Sequence, residues 1–101
     1  MAILEISIVP VGTASTSLSA AVARAVKILR EEKDISHELT AMGTIIEGEL
    51  PRLLALAARM HEAGFAEGAG RVVTTIKIDD RRDRQAAIAD KVASVKKRLR
   101  P

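Results

Sequence analysis

The sequence contains no cysteine, no tryptophan and no tyrosine, and Phe65 is its single aromatic residue. The absence of cysteine excludes a disulfide framework, a thiolate zinc site and cysteine nucleophilic chemistry. No apolar run approaches the roughly 20 residues that a membrane-spanning helix requires. The chain starts directly with an alternating pattern and has no basic n-region, so we expect no signal peptide. These absences predict a cytoplasmic protein that has no membrane partner.

Basic charge is scarce outside the last fifth of the chain. Residues 1–80 carry 8 Lys and Arg against 11 Asp and Glu, whereas residues 81–101 carry 8 against 2. The formal net charge of +3 is therefore local to the C-terminal segment. Because no Tyr or Trp is present to stack bases, this segment is typical of a solvated helix face. We expect no nucleic-acid partner.

Hydrophobic periodicity predicts a defined order of strands and helices. Apolar residues alternate over residues 2–9, and helical spacing follows over residues 17–33. Two short extended segments within residues 35–47 predict a hairpin, a second helical pattern follows, and alternation returns over residues 72–79. After a final helix, the order predicts an α+β fold, a ferredoxin-like βαββαβ sandwich with an additional C-terminal helix. Residues 1–101 are expected to form this single domain.

Residues with special backbone properties predict where these elements begin and end. Pro10 and Gly12 are expected to end the first strand, because proline lacks the N–H that a ladder needs. Ser17 is a suitable N-cap for the first helix. Pro51 suits the first turn of the second helix, and Gly64 lies just past its end.

One face of the predicted sheet is left without a covering layer, because two helices can cover only the other. It carries Ile3, Val9 and Val73, together with Glu5 and Lys77 as a cross-strand pair. Such a pair contributes about 0.2–1 kcal/mol, which does not explain the apolar side chains beside it. We expect the third helix or a second copy of the chain to cover this face, and a closed homo-oligomer is the simplest solution.

Motifs of metal, nucleotide and catalytic chemistry are incomplete. His61 begins a zincin pattern, but Phe65 stands where the second histidine is required, so His61 is read as a residue at the edge of the core. The acidic run at residues 79–83 straddles a strand end and contains two arginines, unlike a magnesium-binding helix. No nucleophile with a base, and no isolated carboxylate pair, can be identified from spacing. We expect no metal, no cofactor, no catalytic residue and no enzymatic activity.

A group of polar residues flanks the predicted hairpin. Glu38, Thr40, Thr44 and Glu47 are expected to lie within a few ångströms of one another. Such a cluster is able to hold a polar heterocycle, or it forms a sheet edge and a subunit contact. Ser17 lies at a helix N-terminus, where N–H groups favour an anion, although capping alone explains it.

Several segments, in the same order along the chain, resemble one small family. They are MAILEISIVPVGT, SxSxxVARAVKILRE, HELTAMGTIIEGEL, LLALAARMHEAGFAEGAGRVVTTIKIDDRRD and KVASVKKRL. Together they resemble the thiamine-binding protein family, whose two-repeat relatives bind thiamine and its hydroxymethylpyrimidine moiety. The resemblance implies a ferredoxin-like fold, a homo-oligomer (a tetramer) built by sheet packing, and binding of thiamine or a hydroxymethylpyrimidine-like ligand without catalysis.

The resemblance also implies a set of ligand-binding residues. They are Ser17 in the turn before the first helix and Glu38, Thr40, Thr44 and Glu47 in the hairpin. A carboxylate and hydroxyls can meet the ring nitrogens and amino group of an aminopyrimidine, and Glu38 or Glu47 can balance a thiazolium cation. The alternative is an oligomeric interaction or regulatory module whose ligand is different or whose site is vestigial.

Overall fold

The elements follow the order βαββαβ and then a helix in the computed structural model, which describes residues 1–13, 18–83 and 88–100. The strands are β1 (Ala2–Val11), β2 (Ser36–Leu39), β3 (Thr44–Gly48) and β4 (Arg71–Asp79). The helices are α1 (Ser19–Arg30), α2 (Leu50–Ala63) and α3 (Ile88–Leu99), and a short 3₁₀ turn, Ala66–Gly68, connects α2 to β4. This order confirms the predicted α+β class with its extra C-terminal helix.

The four strands form one antiparallel sheet in the order β2-β3-β1-β4. Residues paired across neighbouring strands share a face, and successive residues alternate between faces. We call the face that carries Leu4 and Ile6 the inner face, and the face that carries Ile3 and Glu5 the outer face. In this register Ile3 lies between Glu47 of β3 and Asp79 of β4.

The core lies between the inner face and the two helices α1 and α2. Apolar residues at helical spacing on α2 meet alternate residues of β1 and β3, as their periods predict. Burying one Leu, Ile or Met side chain stabilises the fold by about 1.5–3 kcal/mol. The largest fully buried side chains are Leu4, Ile6, Leu29, Ile46, Leu53, Leu56 and Met60.

The first strand continues through Pro10, so the prediction that Pro10 ends it was wrong. Pro10 lies opposite Val72, and the strand ends at Val11. Pairing with β3 stops at Ile6 and Thr44, so β1 has a neighbour on only one side beyond that point. Proline is tolerated there because a strand edge does not require its missing N–H.

Helix α1 is shorter than the predicted span of residues 17–33. It ends at Arg30, where the Glu32 N–H donates to the Leu29 carbonyl and tightens the last turn. Ser17, the predicted N-cap, lies outside the described residues.

Gly64 directly follows α2, as predicted, but its role is close packing. Its φ of −65° is right-handed, so a left-handed cap is not the reason for glycine. A Cβ at this position would lie 2.9 Å from Ile8 Cγ2 and 3.1 Å from Val72 Cγ1. The absent side chain therefore lets the end of α2 approach β1 and β4 closely.

An ionic network joins the segment after α1 to helix α2. The Arg52 guanidinium donates to Asp34 Oδ2 at 2.9 Å and also to Glu32, and Arg59 donates to Glu32 at 3.1 Å. The hydrogen bond from Arg52 holds the pKa of Asp34 below its ordinary value of 3.8. This network holds the segment that leads from α1 to β2 against helix α2.

Acid is expected to remove the contribution of Asp34 to stability. A carboxyl whose pKa is lowered by folding stabilises the protein above its ordinary pKa, and that stabilisation disappears as the pH falls through the lowered value. The Tm difference between the wild type and Asp34→Asn should therefore be constant near neutral pH and vanish as the pH falls below 3.8. Glu62→Gln, which removes a carboxylate with no ion pair to a described residue, is the control variant in the same thermal scans.

Helix α3 is anchored to the outer face by its first turn. The Ile88 N–H donates to Glu47 Oε2 at 2.9 Å, and the Lys91 ammonium pairs with Asp79. Because Glu47 and Asp79 both flank Ile3, the two contacts place this turn at one end of the outer face.

The apolar stripe of α3 becomes more exposed along the helix. The exposed fractions are 46% for Val92, 58% for Val95 and 76% for Leu99. On the outer face Val73 is 44% exposed, and Glu5 is exposed as well. The helix therefore leaves the sheet after its first turn, and within the described chain most of the outer face stays open. None of the described helices has the length and apolar character that crossing a membrane demands.

Candidate functional site

A cavity of about 600 Å³ lies between α1, β1 and the loop that joins β2 to β3. This volume is within the range of about 300–1,000 Å³ that small-molecule sites occupy. Its described lining is mostly apolar, which is also typical of such sites. The lining residues are Ile6, Ser7, Ile8, Leu18, Ser19, Val22, Ala23, Ala25, Val26, Lys27, Arg30, Leu39, Thr40, Ala41, Met42, Gly43, Thr44 and Met60.

Small residues create this space. Ala23 and Ala25 line the cavity from α1, where larger side chains would fill it. On the opposite side, a Cβ on Gly43 would lie 3.0 Å from the Ile6 carbonyl oxygen. Glycine therefore lets the β2–β3 loop lie against β1, and this contact closes one side of the cavity.

Thr40 lines the cavity, but its hydroxyl is already engaged in building the loop. Thr40 Oγ1 donates to the Gly43 carbonyl at 2.8 Å and accepts from the backbone N–H groups of Met42 at 3.3 Å and Gly43 at 3.1 Å. Threonine hydroxyls commonly stabilise turns in this way. The primary role of Thr40 is therefore to fix the shape of the loop.

Thr44 is a buried residue that lines the cavity and carries a hydroxyl. Its side chain is on the inner face, is only 4% exposed, and makes no hydrogen bond to another described residue. Among the described residues, Arg24 Nε is the only enclosed side-chain nitrogen or oxygen without a partner, so the Thr44 hydroxyl stays accessible from the cavity. The Thr44 hydroxyl is therefore the lining group best placed to bond a small polar molecule in the cavity.

Glu38 and Glu47 do not lie at this cavity. In the sheet register Glu38 is opposite Ile45 and Glu47 is opposite Ser36, which puts both on the outer face. The Glu47 carboxylate accepts the Ile88 N–H. The pleat thus divides the predicted hairpin cluster, with Thr44 on the inner face and the two glutamates on the other. Ser17, the fifth predicted residue, lies outside the described residues.

Two charged residues at the cavity were not among the sequence candidates. Lys27 and Arg30 line it from α1, and the described lining contains no acidic residue. Their helical pattern indicates a polar face, which is usually solvated, and so gave no sign of a cavity. The sequence signal that they share is their three-residue spacing, which puts them on one side of a helix.

The described part of the chain holds no group of side chains suited to a metal ion. Within residues 1–13, 18–83 and 88–100, no three His, Asp or Glu side chains form a group that would hold a metal ion. His61 Nδ1 lies 2.6 Å from Thr74 Oγ1, and its ring packs edge-on against Phe65. His61 therefore joins α2 to β4, in agreement with the prediction of a residue at the edge of the core.

Comparison with known proteins identifies close relatives over the full fold. The model of a family described as thiamine-binding protein matches residues 4–96. The UPF0045 protein YqgV of Bacillus subtilis is 47% identical over 100% of both chains. The solved structure of MJ1052 from Methanocaldococcus jannaschii has a TM-score of 0.85 at 32% identity and covers 94% of this chain and 95% of that one.

A more distant solved structure shares the fold. TM0486 from Thermotoga maritima, described as a candidate thiamine biosynthesis/salvage protein, has a TM-score of 0.75 at 20% identity. The match covers 93% of this chain and 97% of that chain. These likenesses confirm the ferredoxin-like fold that the element order predicts.

Proposed function

The chain belongs to the thiamine-binding protein family, and we propose that it binds thiamine or a related pyrimidine-containing small molecule without catalysing a reaction. It acts in the cytoplasm as a homo-oligomeric carrier, buffer or sensor. The observation that carries this proposal is the cavity beside α1, with the unbonded Thr44 hydroxyl in its wall. The description of TM0486 as a candidate thiamine biosynthesis/salvage protein agrees with it.

The cavity lining suits a small heterocycle. Val22, Val26 and Ile6 present apolar surface to the faces of a pyrimidine ring. The Thr44 hydroxyl both donates and accepts hydrogen bonds, so it matches either a ring nitrogen or an exocyclic amino group. A few polar groups in an apolar cavity are the usual arrangement that orients a ligand.

The described lining favours binding over catalysis. It contains serine and threonine but no His, Asp or Glu that would act as their base. A hydroxyl without a base is a weak nucleophile at neutral pH. This composition supports a binding role.

The open outer face supports assembly of several copies. The α3 stripe and Val73 leave apolar surface exposed in one copy, and such surface commonly marks a protein interface. A second copy that packs on the outer face removes this surface from water. We propose a homo-oligomer, a tetramer in keeping with the family resemblance.

Calorimetric titration tests the binding proposal. Thiamine and free hydroxymethylpyrimidine are each titrated into purified protein, with the isolated thiazole moiety as a control for the non-pyrimidine part. We expect saturable heat from one or both pyrimidine compounds. No heat at millimolar concentration from either compound, or from the phosphate monoester of hydroxymethylpyrimidine, would refute the proposal.

The Thr44 hydroxyl is expected to contribute directly to affinity. Thr44→Val keeps the shape of the side chain and removes one hydrogen bond, worth about 1–1.5 kcal/mol, so Kd should rise about tenfold. Thermal stability should change little, because the variant keeps the shape of the side chain and loses no hydrogen bond to another described residue. The matched variant Thr75→Val, on the outer face, should leave Kd unchanged. Equal affinity of Thr44→Val and the wild type would remove Thr44 from the site.

The second candidate function is an oligomeric interaction module with a different or vestigial ligand. The exposed stripe of α3 favours it, because that surface is suited to protein contact. Native mass spectrometry of freshly purified protein distinguishes the two functions. A retained small molecule of pyrimidine mass supports the binder, whereas an assembled protein that neither retains nor binds pyrimidines supports the module.

A further inference from the structure

All charged residues in the described lining of the cavity are positively charged. Lys27 and Arg30 line it and are exposed. Neither forms an ion pair with a described residue. Arg24 on the same helix, which does not line the cavity, instead pairs with Glu67 at 3.0 Å. The two lining cations thus remain available to an anion.

A cationic ligand finds no counter-charge in this lining. Glu38 and Glu47, the carboxylates expected to balance a thiazolium, lie on the outer face. A fixed positive charge in the cavity would instead be close to Lys27 and Arg30, which repel it. An anionic substituent would be attracted by both.

The positions of Lys27 and Arg30 in α1 explain in part why both residues are basic. Lys27 and Arg30 are in the last turn of the helix, where positive charge complements the partial negative charge of the C-terminus. That interaction accounts for their charge. It does not account for a cavity that combines an apolar wall and the Thr44 hydroxyl with two exposed cations.

We propose that the cavity selects a phosphorylated pyrimidine, the phosphate monoester of the hydroxymethyl compound, over the thiamine cation. This inference rests on the proposed function. The ring occupies the apolar part near Thr44, and the phosphate is held at the surface by Lys27 and Arg30. The Arg30 guanidinium suits two phosphate oxygens at once, and Lys27 adds a point charge.

The experiment compares four probes by titration calorimetry on the full chain. They are the hydroxymethylpyrimidine alcohol, its phosphate monoester, thiamine and inorganic phosphate, each at low and high salt. We expect the monoester to bind at least about tenfold more tightly than the alcohol, and this advantage to shrink at high salt because exposed charges are screened. We expect the weakest binding from inorganic phosphate, which lacks the ring.

The matched variants assign the effect to the two cations. Lys27→Gln with Arg30→Gln should remove the advantage of the monoester, while the affinity for the alcohol stays and shows that the cavity is intact. Lys33→Gln removes one positive charge close to the end of α1 but outside the lining, and it should change nothing. If the double variant also loses affinity for the alcohol, Lys27→Gln and Arg30→Gln are measured separately. Each single variant is then expected to lose part of the affinity advantage of the monoester.

The outcomes separate this inference from the proposed function. Equal affinity for alcohol and monoester, or an advantage that survives in the double variant, overturns the inference and leaves the proposed function in place. Inorganic phosphate that binds as tightly as the monoester also overturns it, because the site then takes free phosphate. If no pyrimidine compound binds at all, the proposed function fails together with the inference.

Discussion

Ala23→Trp is expected to abolish the proposed binding of pyrimidine compounds, with Kd raised by about 100-fold or more. Ala23 lines the cavity and is exposed on α1, so an indole at this position occupies the space of the ligand without entering the core. The loss of about 2.7 kcal/mol of ligand contacts corresponds to a factor of about 100. Calorimetric titration with the pyrimidine compound that the wild type binds best measures the effect.

The control for this prediction is the same substitution on another helix. Ala55 is exposed on α2 and is not part of the cavity lining. Ala55→Trp should therefore bind as the wild type does, and both variants should unfold at temperatures close to that of the wild type. Wild-type affinity of a folded Ala23→Trp variant would place the ligand elsewhere on the molecule.

Ile3→Asp is expected to dissociate the proposed homo-oligomer. Ile3 lies on the outer face between Glu47 and Asp79, so an aspartate here puts three carboxylates side by side across neighbouring strands. Like charges that face each other across strands repel, and a charge in a subunit contact that lacks a partner is strongly unfavourable. Light scattering at micromolar concentration should show a smaller particle.

Two further variants separate loss of assembly from loss of folding. Val95 is 58% exposed on α3, so Val95→Asp leaves the fold of one copy unchanged and should still weaken an interface built on the α3 stripe. Lys77→Ala, which removes the side chain opposite Glu5 in the sheet register, should have a much smaller effect. An intact assembly in both Ile3→Asp and Val95→Asp would exclude the outer face and the α3 stripe as the interface.

Local sequence signals were sufficient to predict the strands, the helices and the core residues. Alternation in β1 and β4 and helical spacing in α2 depend only on which residues are apolar, and the inner face with Leu4 and Ile6 follows from them. The end of β1 does not follow, because tolerance of Pro10 depends on where β3 stops. That is a property of the assembled sheet.

The candidate site was less predictable because it depends on packing across elements. Whether Glu38 and Thr44 share a face is decided by the hairpin register, and a shift of one residue reverses it. Lys27 and Arg30 look like any solvated pair on a helix until α1 is placed beside the β2–β3 loop. Nearness in the sequence therefore predicted one polar cluster in the hairpin, whereas the structure divides it between two faces. It gave no indication that the cations on α1 line a cavity.

The position of the C-terminal helix α3 depends on the correct alignment of two strands. Its first turn is bound to Glu47 on β3 and to Asp79 on β4, two strands that meet only through β1. A slip of either strand by one position would carry its carboxylate to the inner face and release the helix. We therefore expect α3 to settle late in folding, and hydrogen exchange along it to distinguish correctly aligned sheets from misaligned ones.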